Sequence, residues 1–297
     1  MRTASLFFLI SVVISQPALP QAHQLRPQPL EQRLKLSEPA IVPFKLYQDY
    51  IIVAHGSIGP LQGLNLLLDT GANPAAVDRR LATKLRLVPE RARNLILLNQ
   101  DTPVEQVLLP SVQLGPIRAE AVPGVVQDLD PVATYLGVRI DAIIGFGVLR
   151  RTSFAIDYRS KKLLFGPVQP SRFSAPLYQG PATFTVHLQI QERPVSLLVD
   201  TGSKDLIFFG CQLPRNIHNF VATGFKTFLN SRGNEFQLRE VLVSPVRIGA
   251  ANFGVKPALI TDDNVNCGQS LDGVVGPASL GLKWIAFDFD QLRFSWR

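Results

Sequence analysis

Two aspartates, Asp69 and Asp200, each close an apolar run and are followed at once by Thr and Gly. The first stands in Leu66–Leu67–Leu68–Asp69–Thr70–Gly71, the second in Leu197–Leu198–Val199–Asp200–Thr201–Gly202. A carboxylate at the end of such a run is half buried, and burying a charge is costly unless something neutralises or uses it. Two carboxyls brought together cannot both ionise cheaply: one keeps a proton and the other stays anionic. Such a pair can activate water. The anionic member takes the proton of the water, and the protonated member hydrogen-bonds a carbonyl as it becomes tetrahedral. That chemistry hydrolyses a stable amide with no metal, no cofactor and no covalent intermediate. Thr70 and Thr201 place short hydroxyls where they can cross-link the two loops. Gly71 and Gly202 allow a tight turn that points N–H groups at the carboxylates.

The elements that must position these residues are themselves duplicated. A strand–turn–strand pattern leads into each triplet: "YIIVAHGSI" then "LNLLLDTG" in the first half, "ATFTVHLQI" then "VSLLVDTG" in the second. "VRIDAIIGFGVL" (138–149) recurs as "QSLDGVVGPASL" (269–280), which aligns Gly145 with Gly276 and Asp141 with Asp272. "FAIDYRSKKLLF" (154–165) recurs as "IAFDFDQLRF" (285–294), which aligns Asp157 with Asp288. "VQLG" (112–115) recurs as "VRIG" (246–249), three residues out of step with the rest. The repeat is too long and too few-fold for a solenoid. Its short apolar runs punctuated by Gly read as strands, with short helices expected over 74–86 and after Gly145 and Gly276. Asp141 and Asp272 read as caps of the turn before each apolar Gly run, and Asp157 and Asp288 as strand-end residues near hairpins.

These paired motifs resemble those of aspartic proteases of the pepsin and retroviral-protease superfamily, in which each lobe supplies apolar–apolar–Asp–Thr/Ser–Gly and a later apolar–apolar–Gly. Ile143–Ile144–Gly145 and Val274–Val275–Gly276 match the second element. The lobes are small, and the chain looks like two fused retroviral-protease-type domains, as in bacterial predicted aspartyl proteases. The resemblance implies an all-β, bilobal fold of two duplicated barrel-like lobes with short helices. It implies catalysis by Asp69 and Asp200, supported by Thr70, Gly71, Thr201, Gly202, Gly145 and Gly276, and each Thr hydroxyl bonded to the opposite lobe. The substrate would be an extended peptide or protein, and a monomer would suffice because one chain holds both carboxyls.

It also implies a hairpin flap over the cleft. "LILLNQDTPVEQVLL" (95–109) and "FLNSRGNEFQLREVLV" (228–243) lie about thirty residues after each Asp. Their tips are expected near Asn99–Pro103 and at Arg232–Gly233–Asn234, which makes Asn99, Gln100, Asp101, Thr102, Arg232 and Gly233 candidate substrate-binding residues. Asn73 and Lys204, second after each Gly, are further candidates. In retroviral proteases an Asp there helps to bind the peptide backbone, and in pepsin the residue is Ser. Lys204 beside an acidic pair has three readings: lowering the pKa of Asp200, engaging an acidic substrate group, or reaching to solvent. Two other functions fit the same scaffold: an inactive peptide-binding protein, and a hydrolase of a cell-envelope amide crosslink.

The rest of the sequence bounds these readings. Its 297 residues are 46% hydrophobic, enough for two lobes. The net charge of +7 is scattered, with a modest cluster at Arg79, Arg80, Lys84, Arg86, Arg91 and Arg93 and no nucleic-acid-binding motif. Four His and two Cys give no zinc pattern. Arg2 followed by the apolar run Leu6–Ile14 and small or turn-forming residues reads as a signal peptide over 1–22, which implies a secreted or periplasmic protein. The run is short for a membrane span, although an uncleaved anchor is an alternative. Residues 23–43 read as a polar, Pro-rich leader, 44–167 as the first lobe, 168–181 as the linker and 182–297 as the second lobe. Cys211 and Cys267 are expected to form a disulfide in an oxidising compartment.

Overall fold

The computed structural model describes residues 5–6, 33–89, 91–97, 100–180, 183–211, 220–229, 235–261 and 271–297. Two sheets, of thirteen and nine strands, contain the described strands. The fold is mostly β and bilobal, with short helices.

Each lobe builds the same frame around its Asp–Thr–Gly. In lobe one, Ile51–Ile58 pairs antiparallel with Leu61–Leu68. Leu61–Leu68 then takes Ala142–Ile144 as a parallel neighbour, with Leu68 beside Ile144, and Ala75–Asp78 packs antiparallel on the far side of that strand. In lobe two the same roles fall to Phe184–Ile190, Arg193–Val199, Gly273–Val275 and Leu206–Phe208. Val199 lies beside Val275, as the repeat requires. The ends of these strands are buried, which is why they read as unbroken apolar runs rather than alternating ones.

Long hairpins complete each lobe. Gln100–Leu114 pairs with Ile117–Gln127, and Glu235–Ile248 with Ala251–Ile260. Gly115 and Gly249 occupy the turns at φ of +56° and +52°, a region that favours glycine. These are the glycines of "VQLG" and "VRIG". The lobes meet where Phe154–Asp157 pairs antiparallel with Trp284–Asp288. Phe154 faces Phe287 and Ile156 faces Ile285, so residues equivalent in the repeat exchange places across the pairing. That exchange is what a twofold relation between lobes demands. Phe146, Phe184 and Phe289 fill the space above this junction, with ring centroids 4.3 and 4.4 Å apart.

Strand Ala40–Tyr47 begins within the stretch read as leader, and Phe173–Pro176 forms a strand against Arg293–Trp296 within the stretch read as linker. In 74–86 the chain is first strand, Ala75–Asp78, and then helix, Arg79–Lys84, capped by Asp78. Helices also cover Phe146–Leu149 and Asp130–Leu136, and a 3-10 turn covers Pro277–Leu280. No helix among the described residues is long and apolar enough to cross a membrane.

Candidate active site

Each strand ends in the same hydrogen-bonded turn. Asp69 N–H donates to Ile144 O at 3.0 Å and Asp200 N–H to Val275 O at 3.1 Å, which ties each Asp to the strand before its partner glycine. The chain then reverses: Ala72 N–H donates to Asp69 O (3.0 Å) and Ser203 N–H to Asp200 O (3.3 Å). The turn brings Gly71 N–H to Asp69 Oδ1 at 2.8 Å and Gly202 N–H to Asp200 Oδ1 at 2.7 Å. Glycine is required at both positions by what lies opposite. A Cβ on Gly71 would stand 2.7 Å from Asp200 Cγ, and one on Gly202 would stand 2.5 Å from Asp69 Oδ2. Gly145 and Gly276 press on the turns from behind, where a Cβ would meet Ala72 O at 1.9 Å and Ser203 O at 2.2 Å.

The threonines lock the loops to one another. Thr70 N–H donates to Thr201 Oγ1 (3.1 Å), and Thr201 N–H donates to Thr70 Oγ1 (3.0 Å). Each hydroxyl in turn donates to the carbonyl before the opposite aspartate: Thr70 to Val199 O (2.7 Å), Thr201 to Leu68 O (3.1 Å). Four buried bonds thus cross between the lobes, and every one uses a residue next to a carboxyl.

Both carboxyls are wholly buried, at 0% exposure. Each Oδ1 is satisfied by its glycine, whereas Oδ2 of Asp69 and of Asp200 meets no donor among the described residues. The two carboxyls lie close enough to act on one another's protonation. Burial raises Asp69 above the ordinary carboxylate range, against the pull of the hydrogen bonds from Asp200 and the loop amides. Burial raises Asp200 well above that range, and the charge of Asp69 adds to the effect. The pair therefore keeps one proton and one negative charge across a range above the usual carboxylate pKa. Such a pair can act as base and acid on one water.

Around the pair lie groups that the repeat did not single out. The phenol of Tyr50 is buried, hydrogen-bonds Tyr135, and is raised above its usual pKa by burial and then by Tyr135, Asp205 and Asp200. Asp205 takes Lys226 Nζ on both carboxylate oxygens, at 3.1 and 3.2 Å. The only sequence signal for these residues is local. Asp205 is a charge directly before the apolar Leu206–Phe208, and Tyr50 opens the apolar Ile51–Ala54 run.

The other candidates divide. Asn73 is half-buried and Lys204 is exposed, and it is burial and then the charge of Asp69 that raise Asp200. Gln100, Asp101 and Thr102 are not at a hairpin tip. They lie in strand, opposite Leu97, Ile96 and Leu95, so the pairing includes residues that the sequence reading put at the tip. Asn99, Arg232, Gly233 and Cys267 lie outside the described residues, while Cys211 is half-buried shortly after Leu206–Phe208. Asp141 Oδ2 accepts from Asn65 N–H (2.9 Å) and Asp272 Oδ2 from Ser196 N–H (2.7 Å), bracing the strand that carries each triplet. Asp157 and Asp288 cap hairpin turns through Ser160 N–H (3.0 Å) and Gln291 N–H (2.9 Å). Asp78, Asp128 and Asp130 gather near one another, but Arg80 pairs with Asp78 at 3.0 Å and with Asp130, which offsets their charge.

Comparison with known proteins gives a family match over one lobe. Residues 55–148, which contain Asp69–Thr70–Gly71 and Gly145, match the family described as aspartyl protease. No curated protein matches the sequence. Among solved structures, a retropepsin-like aspartic protease from Rickettsia conorii is 21% identical, with 43% of this chain and 89% of that chain covered and a TM-score of 0.33. Basic 7S globulin from soybean is 13% identical, with 87% and 94% covered and a TM-score of 0.43. The family match over lobe one and the second copy of the carboxyl frame in lobe two bear out the resemblance: the chain is similar to aspartyl proteases of the pepsin and retroviral-protease superfamily, with both halves of the frame in one polypeptide.

Proposed function

We propose that the chain is an aspartic endopeptidase in which Asp69 and Asp200 activate one water against a peptide carbonyl. The observation that carries this reading is the pair of facing, fully buried carboxyls, each with Oδ2 free of any donor among the described residues while Oδ1 is held by a glycine amide. Water oxygen attacks the scissile carbonyl carbon as the anionic carboxylate takes its proton. The protonated carboxyl supports the developing oxyanion and gives a tetrahedral diol. Proton transfer to the amide nitrogen breaks the C–N bond, releases an acid and an amine, and returns the pair to one shared proton. The threonine bonds hold both carboxyls in place through these exchanges, so little reorganisation is needed.

The test is cleavage of a set of unstructured peptides at acidic to neutral pH. Asp69→Asn and Asp200→Asn should each lower turnover by a factor on the order of a thousand or more, with the fold retained and chelators without effect. Peptide binding without cleavage by the wild-type chain would replace this reading with that of a peptide-binding protein. Cleavage that survives in either Asn variant would show that the two carboxyls do not act as one unit.

The same reading includes export, a monomer and a Cys211–Cys267 crosslink. The apolar N-terminal run supports export, the presence of both Asp–Thr–Gly loops in one chain supports a monomer, and two cysteines in lobe two support the crosslink. Non-reducing peptide mapping and sedimentation of the exported protein test them directly.

A further inference from the structure

Asp205 is fixed to the loop that carries Asp200. Its carbonyl accepts from Gly276 N–H at 2.9 Å, and its own N–H donates to Ser203 Oγ at 3.3 Å. Its carboxylate binds Lys226, which stands in Val221–Leu229, the first strand of the second lobe's hairpin. The pair is partly covered, with the Lys226 and Asp205 side chains 30% and 24% exposed, and the ammonium also lies 5.0 Å from the centre of the Phe228 ring. Gly276, whose N–H the Asp205 carbonyl accepts, directly follows Val275, whose carbonyl accepts Asp200 N–H, so the pair is anchored beside the carboxyl loop. Lobe one has no carboxylate at the place of Asp205. Pro74 takes the place of Asp205, so although the register puts Arg93, opposite Val104, where Lys226 stands opposite Leu238, the carboxylate has no counterpart.

We propose that Lys226 is a positioning residue: through Asp205 it latches the second lobe's hairpin, Val221–Leu229 with Glu235–Ile248, to the Asp200 loop and so holds the stem of that hairpin beside the carboxyl pair. An ion pair in this setting holds a strand without locking it, because it is shared with solvent and screened by salt. Its effect should therefore appear as local opening rather than global unfolding. The kinetic part of the test rests on the endopeptidase reading, whereas the exchange part does not, so the two can fail separately.

The experiment is hydrogen–deuterium exchange on the full chain and on Lys226→Met, Asp205→Asn and Lys226→Arg. Lys226→Met keeps an unbranched apolar side chain at this place and removes the charge that reaches Asp205 and the Phe228 ring. It should speed exchange in 221–229 and 235–248 by roughly three- to ten-fold, leave the counterpart strands 91–97 and 100–114 unchanged, and be restored by Lys226→Arg. Asp205→Asn should reproduce the pattern and gives the same reading if the Lys226 variant fails to fold. With a cleaved peptide, KM should rise by a similar factor while kcat stays within about two-fold. Unchanged exchange in the second hairpin, or equal loosening of both hairpins, would overturn the latch, whether or not the wild-type chain cleaves peptides.

Discussion

Around the two carboxyls, lobe one and lobe two agree bond for bond. Gly71 and Gly202 hold their aspartates at 2.8 and 2.7 Å, and Thr70 and Thr201 exchange N–H bonds at 3.1 and 3.0 Å. Asn65 and Ser196 are braced alike by Asp141 and Asp272. Three residues past each Asp the agreement ends. Ala72–Asn73–Pro74 stands against Ser203–Lys204–Asp205, and Asp78, which caps a helix in lobe one, is replaced by the buried Phe209 in lobe two. The difference follows from where the bonds go. The threonine bonds cross from one lobe to the other, so each copy must keep its half or both lose partners, and the glycine and Asp141 or Asp272 bonds within each lobe hold the loops and strands that those crossings need. The bonds farther out stay within a lobe, and each lobe is free to find its own solution.

The largest effects are expected where the lobes agree. Burial holds both carboxyls above the ordinary carboxylate range. The folded chain thus binds a proton that the unfolded chain has released, and its stability falls as pH rises from about 4 through the raised values. Asp200→Asn, which cannot ionise, should flatten that slope and be more stable than the wild type at neutral pH, even as turnover is lost. Urea midpoints measured from acid to neutral pH read this directly. A wild-type midpoint that rises with pH through this range would mean that the pair ionises without strain. Next come the threonines. Thr70→Val leaves Thr201 N–H and Val199 O without partners in a buried site, at about 2–4 kcal/mol. Thr201→Val strands Thr70 N–H and Leu68 O in the same way. The two costs should be equal within error and the double variant well below their sum. Unequal costs would mean that one lobe carries the junction alone.

What could be read in the sequence was what the duplication repeats. Both triplets, both apolar–apolar–Gly runs and the strands leading into them recur at one spacing, because the twofold junction needs two like halves. Even the three-residue shift reappears as a register difference: Ala76 lies beside Val125 in lobe one, and Ile207 lies beside Leu259 in lobe two. The residues that were not legible are those used once. Tyr50, Asp205 and Lys226 come together across a lobe boundary or up a hairpin, and no periodicity marks them. The polar stretch Gln100–Thr102 has turn-like composition, yet it sits in strand opposite Leu95–Leu97. Arg33, in a segment with the composition of a solvated leader, instead lies over the Phe289 ring at 5.6 Å, a contact between one cation and one ring that no pattern announces.

The smallest effect, and the sharpest test of the lobe comparison, belongs to Lys204→Asn, which gives lobe two the residue that lobe one has at Asn73. A lysine four positions from Asp200 invites the idea that its charge tunes the pair. Its side chain is exposed, however, and burial and the charge of Asp69 are what raise Asp200. An exposed ammonium acts through water and counterions, and such charges are worth little at a distance. The pH–activity profile of Lys204→Asn on a neutral peptide should therefore move by less than about half a unit, with kcat within about two-fold. A peptide that carries a carboxylate near the scissile bond separates the remaining possibilities. If only its KM rises in the variant, and the rise shrinks in high salt, Lys204 meets substrate and the lobes differ in what they bind. If the profile on the neutral peptide shifts by a full unit or more, the charge reaches the carboxyls after all, and the two lobes would differ at the pair itself rather than only beyond it.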